Sequence, residues 1–247
     1  MKVLISVVSL AEARIAIKGG ADILDIKNPL EGSLGAQFPW VLKEIAQEVK
    51  GSGILCSAAL GDLPFKPGTA ALAAFGAASC GAEYIKAGLL GAKNYQEAFE
   101  MMNGVAKATR LANPLALVVA AGYADYNRFG GIPYSLLVSA AADAGADVVM
   151  LDTAIKDGKA LLDVMDRSEI LRFIALGHEA GMQVALAGSI KEEHLEALSA
   201  MNPDVIGIRG AVCSRNDRKA GIAVDKVKAF LTRAKALSMD TPLNAYL

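Results

Sequence analysis

The sequence predicts an α/β fold, a single-domain (β/α)8 TIM barrel, and three observations carry that expectation. Apolar runs of strand length recur eight times along the 247 residues, each followed by a segment of helical period. The runs are nearly continuous in apolar residues, as strands covered on both faces are, and this requires a parallel sheet with helices outside it. The first strand-to-helix junction, VVSLAEA, contains no glycine, so the Gly-rich fingerprint of an open nucleotide-binding sheet is missing where it would be expected. Eight βα units in this length point to a closed barrel.

In order, the strands fall at KVLISVV near 2–8, DILDIK near 22–27, GILCSAAL near 53–60 and EYIKAGL near 83–89. The second half follows with LALVVAAG near 115–122, DVVMLDTA near 147–154, QVALAG near 183–188 and DVIGIRG near 204–210. Between them run helical patterns such as LAEARIAIKGG, WVLKEIAQEVK, YQEAFEMMNGVAKATRLA and KEEHLEALSAM. Several close on Gly or Asn-Pro, the usual helix stop signals. GADILDIK and GADVVMLD echo each other after their helices, a hint of repeated βα units. The barrel is expected over 1–238 and a C-terminal tail over 239–247, with no internal linker.

Composition narrows the function. With 53% apolar and 21% charged residues the chain buries a sizeable core, and a net charge of −1 without a basic run argues against a nucleic-acid partner. The opening MKVLISVVSLAEARIAIKGG has a short apolar run, no small-residue cleavage site and an amphipathic continuation, so it reads as a first strand and not a signal peptide. No apolar stretch of membrane-spanning length occurs without a charge or turn residue, and no membrane partner is expected. Cys56, Cys80 and Cys213 are widely spaced and set among apolar or small neighbours, which suits buried thiols in a reducing cytoplasm. His178 and His194 lie in helical patterns without a second ligand type one turn away, so no metal site is expected.

The charges inside the strands are the functional signal. In ADILDIKNP the alternation puts Asp25 and Lys27 on one face; AEYIKAGL carries Lys86; DVVMLDTAIKDGK carries Asp152 and Lys156. Chemistry in this fold sits at the C-terminal ends of the strands, so three lysines delivered by the second, fourth and sixth strands are expected to converge on one mouth. Lysines snorkelling independently to solvent would explain any one of them; the repetition over three strands favours a shared pocket. A lysine at its reference pKa near 10.4 is almost wholly cationic at neutral pH, and neighbouring ammonium groups and burial both lower that value. Such a cluster can supply a nucleophilic amine, a proton shuttle and a positive anchor, with the aspartates balancing charge and moving protons. Gly188 and Ser189 after the seventh strand, and Arg209 and Gly210 after the eighth, occupy the junctions that form the phosphate site of many barrels. Glycine lets the backbone approach the oxygens, and Arg209 offers a bidentate grip. The long loop AAGYADYNRFGGIPYS, with Tyr123, Tyr126 and Arg128, reads equally as a lid or as an exposed loop.

These segments resemble the (5-formylfuran-3-yl)methyl phosphate synthase family, the barrel enzymes of methanofuran biosynthesis. The resemblance covers essentially the whole barrel through SVVSLAEA, DIKNPLEGSLGA, YIKAGL, LDTAIKDGK, LAGSI and IGIRGAVC. It implies condensation of two glyceraldehyde 3-phosphate molecules to the phosphorylated furan aldehyde with release of phosphate and water. It maps the Schiff-base lysine onto Lys27 and the proton-accepting lysine onto Lys86, with Asp25, Asp152 and Lys156 at the remaining polar positions. It implies no metal or organic cofactor, a small phosphorylated aldehyde as the partner, and a homo-oligomer. Two other readings stay open: a class I aldolase acting on a sugar phosphate, whose lysine typically comes late in the barrel and would favour Lys156, and a non-catalytic phosphometabolite-binding barrel, which needs no lysine cluster.

Overall fold

The computed structural model describes residues 1–216 and 220–239. The first half alternates β1 (Lys2–Val7), α1 (Leu10–Gly19), β2 (Ile23–Ile26), α2 (Pro39–Val49), β3 (Leu55–Asp62), α3 (Pro67–Ser79), β4 (Tyr84–Gly88) and α4 (Tyr95–Ala112). The second runs β5 (Leu117–Tyr123), α5 (Tyr134–Asp143), β6 (Val148–Asp152), α6 (Leu161–Val164), α7 (Arg167–Glu179), β7 (Gln183–Leu186), α8 (Leu195–Met201), β8 (Val205–Ile208) and α9 (Val224–Met239). All eight expected strands form, and all are parallel; Leu4 pairs with Gly207, which joins β1 to β8 and closes the barrel. The expected tail lies outside the described residues, apart from Met239 at the end of α9. Among the described residues no helix is long and apolar enough to cross a membrane.

Strand alternation sorts the side chains into two layers. Val3, Ile5 and Val7 of β1, Leu24 and Ile26 of β2, and Val149 and Leu151 of β6 face outward and pack beneath the helices. Leu4, Ile23, Val148 and Met150 face inward with Ala59, Ala121, Ala185 and Ala187. Bulky branched residues usually fill a barrel of this kind. Here alanines, with Gly207 on β8, thin the interior and leave room for charged side chains.

A carboxylate ahead of each even strand holds the odd strand before it. Asp22 accepts the Val3 amide at 2.8 Å, Glu83 that of Cys56 at 2.9 Å, Asp147 that of Val118 at 2.7 Å and Asp204 that of Val184 at 2.7 Å. The GAD, GAE, GAD and NPD segments that precede β2, β4, β6 and β8 are therefore one device used four times. It satisfies the amide of the second residue of each odd strand, at the end of the barrel away from the strand C-termini.

Each pin is expected to contribute about 1–2 kcal/mol, the cost of stranding a partly buried amide. Asp22→Ala and Asp147→Ala lie far apart, so urea unfolding of the double variant should give the sum of the single losses to within about 0.5 kcal/mol.

Candidate active site

Two ion pairs organise the upper interior. Asp25, the third residue of β2, is wholly buried, and its Oδ1 accepts from Lys86 Nζ at 2.6 Å and from Ser57 Oγ at 3.0 Å. Ser6 Oγ donates to its other oxygen at 3.1 Å. Register makes this possible: Ser6, Asp25 and Ser57 are directly paired neighbours across β1, β2 and β3, all pointing inward. Burial alone would push the Asp25 carboxyl up, but the Lys86 and Lys27 charges and the bonds from Lys86 and Ser57 outweigh it and hold the pKa below the ordinary value. In the second pair, Lys156 Nζ donates to Asp152 Oδ1 at 2.8 Å and to Thr153 Oγ1 at 3.0 Å. The Thr153 amide reaches the same carboxylate oxygen at 2.7 Å. Burial again opposes ionisation, yet Lys156, Lys27 and these bonds bring Asp152 down to about 2.

Lys27 lies just past β2, between the two pairs. It is buried, and among the described residues its amine makes no hydrogen bond or ion pair. Desolvation is the largest influence on it and lowers its pKa to about 8. Asp152 and Asp25 pull the other way, Lys86 and Lys156 assist the lowering, and burial prevails. Asp25 is thus less of an obstacle to a neutral Lys27 than two-residue spacing suggests, because its charge is already taken up by Lys86, Ser57 and Ser6.

A cavity of about 760 Å³ opens at the C-terminal ends of the strands, with Asp25, Lys27, Asp152 and Lys156 in its wall. Gly188, Ser189, Arg209 and Gly210 line the same cavity. Gly188 has φ +112, and a Cβ there would approach Thr153 Cγ2 to 2.9 Å, so the close passage of this loop over β6 requires glycine. The amides of Gly188, Ser189 and Gly210 donate no hydrogen bond to the described residues, which leaves them available to an anion. Among the described residues no group of three or more His, Cys, Asp or Glu side chains is arranged to hold a metal ion.

Three placements differ from the sequence-based expectation. Lys86 does not reach the mouth: it is the third residue of β4, only 1% exposed, and stands behind Asp25 without lining the cavity. Arg209 does line the cavity, but its guanidinium is bidentate to Glu12 at 2.7 and 3.2 Å and donates to the Ser6 carbonyl at 3.1 Å. It ties β8 to the start of α1. The loop after β5 supplies no cavity residue; Tyr123 and Asp125 are buried, and Asp125 accepts the Ala154 and Ile155 amides at 2.7 and 2.9 Å. Arg128 pairs with Asp157 at 2.6 Å, which ties the segment to the loop after β6.

A family model described as 4-HFC-P synthase matches residues 3–231, from the second residue of β1 through the first half of α9. The chain belongs to the 4-HFC-P synthase family. Proteins named (5-formylfuran-3-yl)methyl phosphate synthase are close in sequence. That of Archaeoglobus fulgidus is 54% identical over 222 residues, 90% of this chain and 94% of its own length. That of Methanocaldococcus jannaschii is 50% identical over 221 residues, again 90% of this chain and 94% of its own. Solved structures share the fold at low identity. KGPDC from Streptococcus mutans has a TM-score of 0.64 at 13% identity, covering 96% of this chain and 98% of its own. The 3-hexulose-6-phosphate synthase of Salmonella typhimurium has 0.62 at 16%, covering 95% and 100%. Membership in the 4-HFC-P synthase family makes the chain an enzyme.

The two central lysines of this family member should affect stability in opposite directions. Lys27 is charged in the unfolded chain up to about pH 10.4 but only to about pH 8 when folded, so below pH 8 folding bears the full cost of burying its charge. Lys27→Met should raise stability at pH 7 by about 1–3 kcal/mol, with the gain shrinking as pH rises towards 10. Lys86→Met strands the Asp25 carboxylate and should cost about 3–5 kcal/mol. Urea unfolding at pH 7 and 9.5 checks both signs.

Proposed function

We propose that the chain is a (5-formylfuran-3-yl)methyl phosphate synthase in methanofuran biosynthesis, condensing two glyceraldehyde 3-phosphate molecules through a Schiff base on Lys27. The observation that carries this reading is the Lys27 amine: buried, unpaired among the described residues, with a pKa near 8, and in the cavity wall. A neutral amine in contact with a substrate cavity is what attack on an aldehyde requires. Lys156, by contrast, is engaged by Asp152 and Thr153, which favours Lys27 over it as the nucleophile.

The amine adds to the C1 aldehyde and expels water, and the resulting iminium acidifies the hydrogen on C2. The Asp25–Lys86 pair takes that proton. Only Asp25 of the pair lines the cavity, so its carboxylate accepts the proton, while Lys86, which already donates to it at 2.6 Å, orients it and balances its charge. The enamine so formed drives the remaining bond changes: loss of phosphate from the neighbouring carbon and carbon–carbon bond formation with the second aldehyde. Ring closure, dehydration and hydrolysis of the imine return Lys27. Two triose phosphates lose one phosphate and two waters in all, which balances the furan aldehyde phosphate. Lys156 places a cation at the mouth beside the departing phosphate. The amides of Gly188, Ser189 and Gly210 suit a substrate phosphate, while Arg209, already bidentate to Glu12, adds positive field and little direct grip.

Borohydride reduction in the presence of glyceraldehyde 3-phosphate should attach a three-carbon adduct to Lys27, with trapping that increases through pH 8. Lys27→Arg should abolish both trapping and the ultraviolet absorbance of the furan product. Lys86→Gln should keep trapping and lower turnover by about 10²–10⁴-fold. An adduct on Lys156 instead would shift the reading to a class I aldolase. Tight phosphate binding without turnover would leave only a binding barrel.

A further inference from the structure

The cavity opens on one side of the barrel only. Its lining comes from β1, β2, β6 and β8 and from the segments after β2, β6, β7 and β8, and no residue of β3, β4 or β5 reaches it. The other half of the mouth is filled. Leu34, wholly buried, comes from the loop after β2 and joins the interior cluster that contains Ala59, Ala121 and Tyr123. Leu90 and Phe129 pack against the same cluster. A loop leucine therefore occupies a place that strand residues fill elsewhere in the interior.

The loop is fastened from several sides. Asn28 donates its amide to the Gly35 carbonyl at 2.9 Å, closing the loop on itself. Ser33 Oγ donates to the Thr153 carbonyl at 3.1 Å and to Asp152 at 3.4 Å. The Leu34 amide donates to Asp62 Oδ2 at 3.1 Å, and the other Asp62 oxygen accepts a short hydrogen bond from the Tyr123 hydroxyl. Gly32 has φ +130, and a Cβ on it would fall 2.4 Å from Asp62 Oδ2, so loop and carboxylate fit only without that atom.

We propose that Asp62 and Tyr123 are positioning residues that dock the Gly32–Leu34 segment as a fixed seal over the β3–β5 half of the barrel. The seal keeps water from Lys86, confines its action to Asp25, and leaves Lys27 open to solvent only through the cavity. Neither residue touches the cavity; they act through Leu34 and Ser33. The closure stands on geometry, and its consequence for catalysis rests on the reading of Lys27 as the nucleophile. Asp25 and Asp152 face Lys27 and favour its cation, and Lys86 and Lys156 oppose it. Of the four only Asp152 loses a loop partner, Ser33, when the loop loosens, which strengthens its pull towards the cation; together with water entry this moves Lys27 back towards the ordinary lysine value.

Site-resolved acetylation of the full chain across a pH series, without substrate, tests this. Asp62→Ala, Tyr123→Phe and Gly32→Ala should each raise the labelling rate of Lys86 about tenfold or more, because local opening becomes easier. The pH midpoint for Lys27 should rise above its starting value of about 8, while exposed Lys43 labels as before. Asp62→Asn can still accept from Leu34 and donate to the Tyr123 oxygen, and should restore most of the protection. Unchanged Lys86 labelling and an unchanged Lys27 midpoint in folded Gly32→Ala and Tyr123→Phe would overturn the proposal, whether or not Asp62→Ala folds. Borohydride trapping that failed at Lys27 in the unaltered chain would remove the nucleophile reading and leave the labelling result to judge the seal.

Discussion

A carboxylate without contact to water has to find its counter-charges inside the protein, and at Asp25 this requirement shapes the whole interior. Lys86 meets it from β4 at 2.6 Å, and serines on both neighbouring strands each take one more lone pair, which leaves one site on Oδ2. Alanines at positions 59 and 121 leave space where a valine or leucine layer would otherwise stand. Such a pair contributes little net stability over an apolar packing of the same volume, and breaking it is expensive. Its value here lies in what it does to its neighbour.

Two aspartates and three lysines share the upper barrel, carrying a net charge of +1 when every amine is protonated and zero once Lys27 releases its proton. Low dielectric surroundings favour the neutral total. The two carboxylates each hold a lysine of their own, at 2.6 and 2.8 Å, and the third lysine is left without a partner among the described residues. Desolvation then acts on that amine more strongly than the carboxylates can offset. Of the three lysines, two are committed to ion pairs, and the one left over is the amine proposed as the nucleophile.

Strand positions, barrel closure and the inward set Asp25, Lys27, Asp152 and Lys156 were legible in the sequence, because period-two alternation is local and survives in short runs. The depth of Lys86 was not: the apolar run YIKAGL continues to Leu89, which conceals that the lysine is mid-strand. Arg209 and Glu12 stand 197 positions apart, and no spacing rule links them until the barrel closes. Ser6 and Ser57 carry the alternation signal but read as ordinary small polar residues until register pairs them with Asp25. Leu34 is hidden in another way. NPLEGSLGA has the composition of a turn, and a leucine there gives no hint that it enters the barrel.

The account turns on the protonation state of one amine, and that state can be observed directly. Lysines labelled with 13C at Cε and 15N at Nζ, with Lys27 assigned by its loss in Lys27→Met, can be titrated by NMR in the absence of substrate. The ion-pair arrangement predicts a midpoint near 8 for Lys27. A midpoint near the ordinary lysine value of about 10.4 would contradict it, because the amine would then be a cation at neutral pH and the two ion pairs would serve structure alone.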